Sequence, residues 1–149
     1  MSDTLITADL VAVGLDAVDK DAVIEALAGK LAAAGRVTDA AAFVADVTAR
    51  EAQTATGMPG NIGLPHAKSA AVTVPSLAVA TVPGGVDFAG PDGPATLVFL
   101  IAAPAEGANE HLQILAKLAR KLVNPAFTGS IRDAADADAV AAIVTEAVS

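Results

Sequence analysis

Residues 57–66 read Gly57-Met58-Pro59-Gly60-Asn61-Ile62-Gly63-Leu64-Pro65-His66. The glycines, prolines and asparagine of the first half are typical of a turn, and the apolar residues after them predict a short strand over 62–66. The strand ends on a histidine directly after a proline, which fixes its own backbone φ angle and restricts the residue before it. Because the chain has only two histidines and no cysteine, the side chain of His66 is the leading candidate for a nucleophile, base or ligand.

The composition argues against several classes of protein. Nine basic and 17 acidic residues give a net charge of −8, which disfavours binding to nucleic acid and to anionic lipid. The lack of cysteine excludes disulfides and thiolate metal sites. Positions 1–20 carry no secretory signal, and the longest apolar run, at 95–104, is too short to span a bilayer. We therefore expect a cytoplasmic protein without membrane insertion and without a nucleic-acid partner.

Helical and strand patterns alternate along the chain. The helices are predicted from Asp19 to about Ala34, from Thr38 or Asp39 to about Gln53, from Asn109 to about Asn124, over Pro125–Arg132, and from Asp136 or Asp138 onwards. Two further strands are predicted at 76–82, closed by a turn at 83–85, and at 95–103, where continuous apolar character is typical of a central strand. This order predicts a single α/β layered domain over 1–149, with a mixed, mostly parallel central sheet of about five strands and helices on both faces.

Further residues extend the pattern around His66 in both directions. They are Arg50-Glu51, Thr56, Gly60-Asn61, Ile62-Gly63-Leu64-Pro65-His66, Glu110-His111-Leu112 and Leu115-Ala116. In order and spacing, over essentially the whole chain, they resemble the enzyme IIA domain of the fructose–mannitol class in the bacterial phosphoenolpyruvate-dependent sugar phosphotransferase system. The sequence departs from the usual family pattern in two ways. Gly60-Asn61 stands before Ile62 where the family has Gly-Asn-Gly or Gly-Gly, and Gly63 stands where the family has alanine.

The resemblance implies a small phosphocarrier, a phosphotransferase that needs no cofactor and no metal. It would accept a phosphoryl group from the histidine phosphocarrier protein HPr on His66, with Arg50 and His111 as companions. It would pass the group to a cysteine of a IIB partner during sugar uptake, with fructose as the default sugar, and we expect it to be a monomer. The nitrogen-related branch of the family implies an alternative, a regulatory module whose phosphorylation reports nutrient state.

The residue types suit this chemistry. Neutral imidazole is available as a nucleophile near neutral pH, and the transferred phosphoryl group carries about two negative charges. Arg50 offers a permanently charged fork, and His111 offers a ring N–H in the first turn of its helix, where anions are favoured. Thr56 offers a hydroxyl, and the turn at Gly60 and Asn61 offers backbone N–H groups. No Walker loop, zinc motif or serine-hydrolase elbow is present.

Each of these residues also has an ordinary structural alternative. Arg50 lies near a helix C-terminus, where a cation complements the helix dipole. His111 can cap its helix, and Thr56 can form a local turn. Glu51 is expected to pair with a neighbouring cation or to position Arg50 rather than to take part in chemistry. A small hydrolase with His66 as base is the least favoured alternative, because no nucleophile or metal cluster accompanies it.

Overall fold

A computed structural model describes residues 5–53, 55–105 and 110–148, without the side chains of residues 110–112, 114, 115 and 148. Its elements, in chain order, are a 3-10 turn at Ala8–Leu10, strand β1 (Val11–Ala12), helices α1 (Lys20–Ala33) and α2 (Ala40–Gln53), strands β2 (Gly57–Met58), β3 (Ile62–Gly63), β4 (His66–Ser69), β5 (Ser76–Val86) and β6 (Ala95–Pro104), and helices α3 (Glu110–Leu122), α4 (Pro125–Arg132) and α5 (Ala137–Val148).

The strands form one mixed sheet, which confirms the predicted α/β class. Within the described ranges it has six strands in the order β1-β5-β6-β3-β2, and β4 also pairs with β6. The neighbours β1 and β5 run parallel, as do β3 and β6 and also β4 and β6. The β5–β6 and β2–β3 pairs are antiparallel. The apolar segment predicted to be a central strand, β6, is the one that organises the sheet.

The predicted strand over 62–66 is observed as two short strands on one line. In both β3 and β4, each residue pairs with a β6 residue 35 positions further along the chain, as in Ile62 with Leu97 and His66 with Ile101. The register is therefore unbroken across Leu64 and Pro65. Proline has no N–H to donate to a ladder, so the regular strand is interrupted there, although the Pro65 carbonyl still accepts a hydrogen bond from Ile101 N at 3.0 Å.

The helices begin where the sequence predicts, because local side chains cap them. Asp19 Oδ1 accepts a hydrogen bond from Ala22 N at 2.8 Å, and Asp39 Oδ1 accepts one from Ala42 N at 3.1 Å. Such caps satisfy amide groups that have no partner inside the helix. Similar caps at Asn124 and Asp136 start α4 and α5.

The core lies between the sheet and the helices on its two faces. Nearly every residue of β6 is buried, whichever way its side chain points, which requires cover on both faces of the sheet. Helix α1 packs against β5, α2 packs against β4, and α5 packs against β1. This arrangement brings α2 and β4 together.

The turn predicted at 83–85 is wrong. Strand β5 continues to Val86, which pairs with Ala95, and a register shift separates this pair from the regular ladder that ends at Thr81. Gly85 takes a φ of 76° within this irregular stretch, a conformation that glycine adopts at little cost. The Pro-Gly-Gly sequence therefore marks a bulge, and pairing with β6 overrides the local turn signal.

We predict that restoring the family's alanine at Gly63 destabilises this chain. A methyl group at Gly63 would lie 2.8 Å from ring atoms Cγ and Cδ2 of Phe88, whose side chain is only 1% exposed. Overpacking of this kind should lower the free energy of unfolding of Gly63→Ala by about 1–3 kcal/mol in a urea titration.

Gly29→Ala is the matched control, because nothing lies within 4 Å of a Cβ at this position in α1. It should raise the stability by about 0.5–1 kcal/mol, the usual gain for alanine over glycine inside a helix. Adding Phe88→Leu to Gly63→Ala should recover part of the loss. A Gly63→Ala variant as stable as the original chain would contradict the close packing of β3 against Phe88.

Candidate active site

The side chain of His66 is half-buried at the first residue of β4. Its Nδ1 lies 3.0 Å from the carbonyl oxygen of Leu64. A carbonyl oxygen can only accept a hydrogen bond, so Nδ1 carries the ring proton in this contact. In the neutral ring Nε2 is then left with an unshared electron pair. The hydrogen bond thus selects both the orientation and the tautomer of His66.

The backbone that leads to His66 is held on both sides. Leu64 N donates to the Thr56 carbonyl at 3.2 Å, and Ile101 N donates to the Pro65 carbonyl at 3.0 Å. Leu64 and Ala67 are 8% and 7% exposed, so the residues around the ring are fixed by packing as well. The ring of His66 is therefore presented from a rigid support.

The side chain of Glu51 binds two polar groups of Thr56. Its carboxylate accepts a hydrogen bond from Thr56 N at 2.9 Å and another from Thr56 Oγ1 at 2.7 Å. Lys20 Nζ lies 3.7 Å from the same carboxylate, so the expected pairing of Glu51 with a cation is present. The hydroxyl proton of Thr56 is directed at Glu51 in this structure, and phosphate binding by Thr56 stays a prediction.

Hydrogen bonds to the segment between β5 and β6 hold the turn at Gly60 and Asn61 in place. Gly60 N donates to the Asp92 carboxylate at 2.6 Å, and the Asn61 side-chain amide donates to the carbonyls of Asp92 and Pro94 at 3.0 and 3.1 Å. Gly60 and Asn61 both have positive φ angles, of 88° and 62°, which suit glycine and asparagine. Their predicted N–H contacts to a phosphoryl group also stay a prediction, since the Gly60 donor is already engaged.

Arg132, at the end of α4, is a residue of this region that the sequence analysis missed. Its Nη2 donates to the carbonyls of Gly60 and Asn61 at 2.7 and 3.0 Å, and its Nε donates to Thr96 Oγ1 at 3.1 Å. Burial lowers the pKa of the Arg132 guanidinium, because desolvation disfavours its charged form. No local signal marks Arg132, since its partners lie far away along the chain.

Of the two predicted companions of His66, the structure describes the side chain of Arg50 but not that of His111. Arg50 is half-buried in the last turn of α2, the helix that packs against β4. His111 is the second residue of α3, but its side chain lies outside the described part of the structure. The fold therefore brings the element carrying Arg50 to the strand carrying His66, and the predicted contact with His111 remains a prediction.

Two negative findings concern only the described ranges. Among these residues there is no group of three or more His, Cys, Asp or Glu side chains placed to hold a metal ion. No helix in them combines the length and the apolar character that crossing a membrane requires.

Comparison with known proteins decides the family. Residues 4–147 match the family model described as "Phosphoenolpyruvate-dependent sugar phosphotransferase system, EIIA 2". The chain belongs to this family. The resemblance recognised from the motif around His66 is thereby confirmed, and the chain is an EIIA component of a phosphotransferase system.

Individual relatives agree with this assignment. The fructose-specific EIIA component of Haloferax volcanii is 38% identical over 130 residues, which are 87% of this chain and 84% of the relative. Several other related proteins are longer, and this chain spans only 15% to 22% of their length.

Solved structures share the fold of this EIIA chain. The nitrogen regulatory protein IIA-Ntr from Neisseria meningitidis superposes with a TM-score of 0.86 at 26% identity, over 94% of this chain and 96% of that one. A complex of mannitol enzyme IIA with phosphorylated enzyme IIB from Escherichia coli matches with a TM-score of 0.77 at 23% identity, over 95% and 97% of the two chains. The second likeness concerns the fold alone.

We predict that Arg132 holds the turn before His66 in place. In Arg132→Lys the charge is kept, but a single ammonium group cannot reproduce the fork that contacts Gly60, Asn61 and Thr96. The free energy of unfolding should fall by about 1.5–3 kcal/mol, the range for hydrogen bonds to charged groups. Hydrogen exchange of the β2 and β3 amides should become faster.

Arg120→Lys is the control for Arg132→Lys, because Arg120 is exposed on α3 and the same replacement there should change neither quantity. If the amides of β2 and β3 exchange at the original rate in Arg132→Lys, the guanidinium does not hold this turn.

Proposed function

We propose that His66 is the phosphoryl acceptor of this EIIA chain and that Nε2 is the atom that receives the phosphoryl group. The observation that carries the proposal is the hydrogen bond from Nδ1 to the Leu64 carbonyl, 3.0 Å long. It occupies the only N–H of the neutral ring and leaves the electron pair of Nε2 available for attack. The side chain is half-buried and not fully enclosed, which supports access by a partner protein.

The first transfer takes the phosphoryl group from the phosphohistidine of HPr. A bond forms between Nε2 of His66 and the phosphorus as the phosphorus–nitrogen bond of the donor breaks, and the electron pair of that bond remains on the donor's nitrogen. Positive charge develops on the His66 ring during this step. A hydrogen bond from a charged donor is stronger than one from a neutral donor, so the Leu64 carbonyl stabilises the phosphorylated ring more than the free ring.

The second transfer passes the group to a cysteine of a IIB partner. The thiolate attacks the phosphorus, Nε2 departs with the bonding electrons, and the neutral ring is restored with its proton still on Nδ1. Because the Nδ1 proton is retained, the ring leaves as neutral imidazole and not as an anion, so the same protonated nitrogen is used in both half-reactions. No proton has to enter or leave the ring in either step.

The transferred group also needs positive charge around its oxygens, since phosphoryl transfer depends mainly on positioning and charge compensation. Arg50 is proposed to supply a bidentate contact from the end of α2, the helix that packs against β4. His111 is proposed to add a ring N–H from the first turn of α3. Such local cations are needed in a chain with a net charge of −8, because its overall field repels a dianion.

The proposed route is sugar uptake, with fructose as the sugar that the relatives favour. The 38% identical protein of Haloferax volcanii is named a fructose-specific EIIA component. One of the longer relatives, 33% identical over 143 residues, is named a fructose-specific EIIABC component, which supports a IIB domain as the acceptor. The chain is proposed to meet HPr and IIB as a monomer, through one surface around His66.

A regulatory role is the second candidate. It is favoured by the TM-score of 0.86 to a protein named as nitrogen regulatory. In that role His66 would still accept the phosphoryl group, and the phosphorylated state would control the binding of another protein. The two candidates therefore share the first transfer and differ in the use made of the phosphorylated chain.

We predict that phosphorylated HPr modifies the wild-type chain and leaves His66→Ala unchanged. Intact-mass spectrometry should detect the gain of one phosphoryl group that is labile in acid and stable in base, as expected for a phosphohistidine. His111→Ala should still be modified, at a lower rate, because it removes a donor and keeps the acceptor. A wild-type chain that stays unmodified would refute the proposal, as would modification of His66→Ala.

We further predict that the wild-type chain supports formation of fructose phosphate. The assay combines phosphorylated HPr, the chain, radiolabelled fructose and membranes that contain a fructose IIB–IIC partner. His66→Ala should give no more product than membranes without the chain. If the wild-type chain is phosphorylated but yields no sugar phosphate with fructose or mannitol partners, the regulatory role is favoured.

A further inference from the structure

Glu51 is a buried charged side chain that the phosphoryl transfer itself does not use. The residue is 4% exposed, and burying a carboxylate is costly unless donors surround it. Here the donors are two groups of the same residue, Thr56 N at 2.9 Å and Thr56 Oγ1 at 2.7 Å. Lys20 adds a longer ion pair at 3.7 Å. The carboxylate therefore fixes Thr56 to the end of α2.

The bonds continue from Thr56 to the ring of His66. The Thr56 carbonyl accepts the hydrogen bond from Leu64 N at 3.2 Å, and the Leu64 carbonyl accepts the one from His66 Nδ1 at 3.0 Å. Both groups of Leu64 are thus used, one towards Thr56 and one towards the ring. Hydrogen bonds therefore connect the buried carboxylate of Glu51, through the backbone of Thr56 and Leu64, to Nδ1 of His66.

The backbone around Leu64 explains why an anchor at Thr56 matters. Pro65 has no N–H, so the line from β3 to β4 lacks one ladder donor at that point. The direction of the Leu64 carbonyl depends on the two backbone angles of Leu64. The bond from Leu64 N to Thr56 restrains one side of this residue, and the ring of Pro65 restricts the other.

We propose that Glu51 is a positioning residue that sets the tautomer of His66 through Thr56 and Leu64. The proposal rests on the proposed function, in which Nε2 of His66 must be the unprotonated nitrogen. In the described part of the chain, the bonds of the Glu51 carboxylate go to Thr56 and Lys20, so its effect on the ring of His66 is indirect. Its effect is to hold the Leu64 carbonyl where it accepts the Nδ1 proton, and its loss should let the proton move to Nε2.

The test measures the tautomer directly in the unphosphorylated protein. Histidine labelled with ¹⁵N is recorded by NMR at mildly alkaline pH, where a protonated and an unprotonated ring nitrogen have well-separated shifts. The His66 signals are assigned by their loss in His66→Gln, because the chain has only one other histidine. The variants are Glu51→Gln, which presents an amide donor to Thr56 in place of a carboxylate oxygen, and Thr56→Val, which removes the hydroxyl at nearly constant size.

We expect the wild-type chain to have its proton on Nδ1. The ratio of Nδ1-protonated to Nε2-protonated rings should fall about three- to tenfold in both variants, the effect of weakening about one hydrogen bond. Thr56→Ser keeps the hydroxyl and should restore the wild-type ratio. Glu25→Gln makes the same chemical change at an exposed position of α1 and should leave the ratio unchanged.

A wild-type ratio in folded Glu51→Gln or in folded Thr56→Val would overturn the proposal. If Glu51→Gln does not fold, the comparison of Thr56→Val with Thr56→Ser decides in its place. The measurement needs no phosphoryl donor, so it is independent of the proposed function. A chain that HPr does not phosphorylate would refute the function, whereas an unchanged tautomer in the variants would refute only the role of Glu51.

Discussion

The parallel pairing of residues 62–69 with β6 is the constraint on which the site depends. It keeps one register across Leu64 and Pro65, with Ile62 opposite Leu97 and His66 opposite Ile101. Since the pairing fixes the backbone on both sides of the proline, the Leu64 carbonyl and the His66 ring are brought within 3.0 Å of each other. The position of the ring is thus a consequence of the sheet, and its tautomer is a consequence of that position.

Side chains from helices α2 and α4 hold the segment that contains β3 and β4. Glu51, on α2, anchors Thr56 and through it the N–H of Leu64. Arg132, on α4, holds the carbonyl side of the turn at Gly60 and Asn61, while Asp92 takes the N–H of Gly60. The proposed nucleophile must be held in a productive geometry for phosphoryl transfer, and these contacts restrain the backbone that leads to it.

The sequence predicts the helices and the motif well, and the long-range contacts poorly. Helix starts were predicted because Asp19, Asp39 and Asn124 cap residues only two or three positions away. The observed strand differs from the predicted turn at 83–85 because Pro-Gly-Gly is only a local turn signal, and the pairing of Val86 with Ala95 outweighs it. Arg132 and Asp92 have no motif of their own, since their partners lie more than 30 positions away. The phosphate contacts predicted for Thr56 and Gly60 follow from residue type alone. The acceptor that the Thr56 hydroxyl or the Gly60 N–H binds depends on the fold, which places Glu51 and Asp92 there.

We propose that Nε2 of His66 carries the phosphoryl group, because Nδ1 is bound to the Leu64 carbonyl. The most direct measurement is the coupling between ³¹P and ¹⁵N in the phosphorylated protein labelled with ¹⁵N-histidine. We expect phosphorus to couple to Nε2 of His66, with a proton still attached to Nδ1. A one-bond coupling to Nδ1, or to His111, would contradict this account.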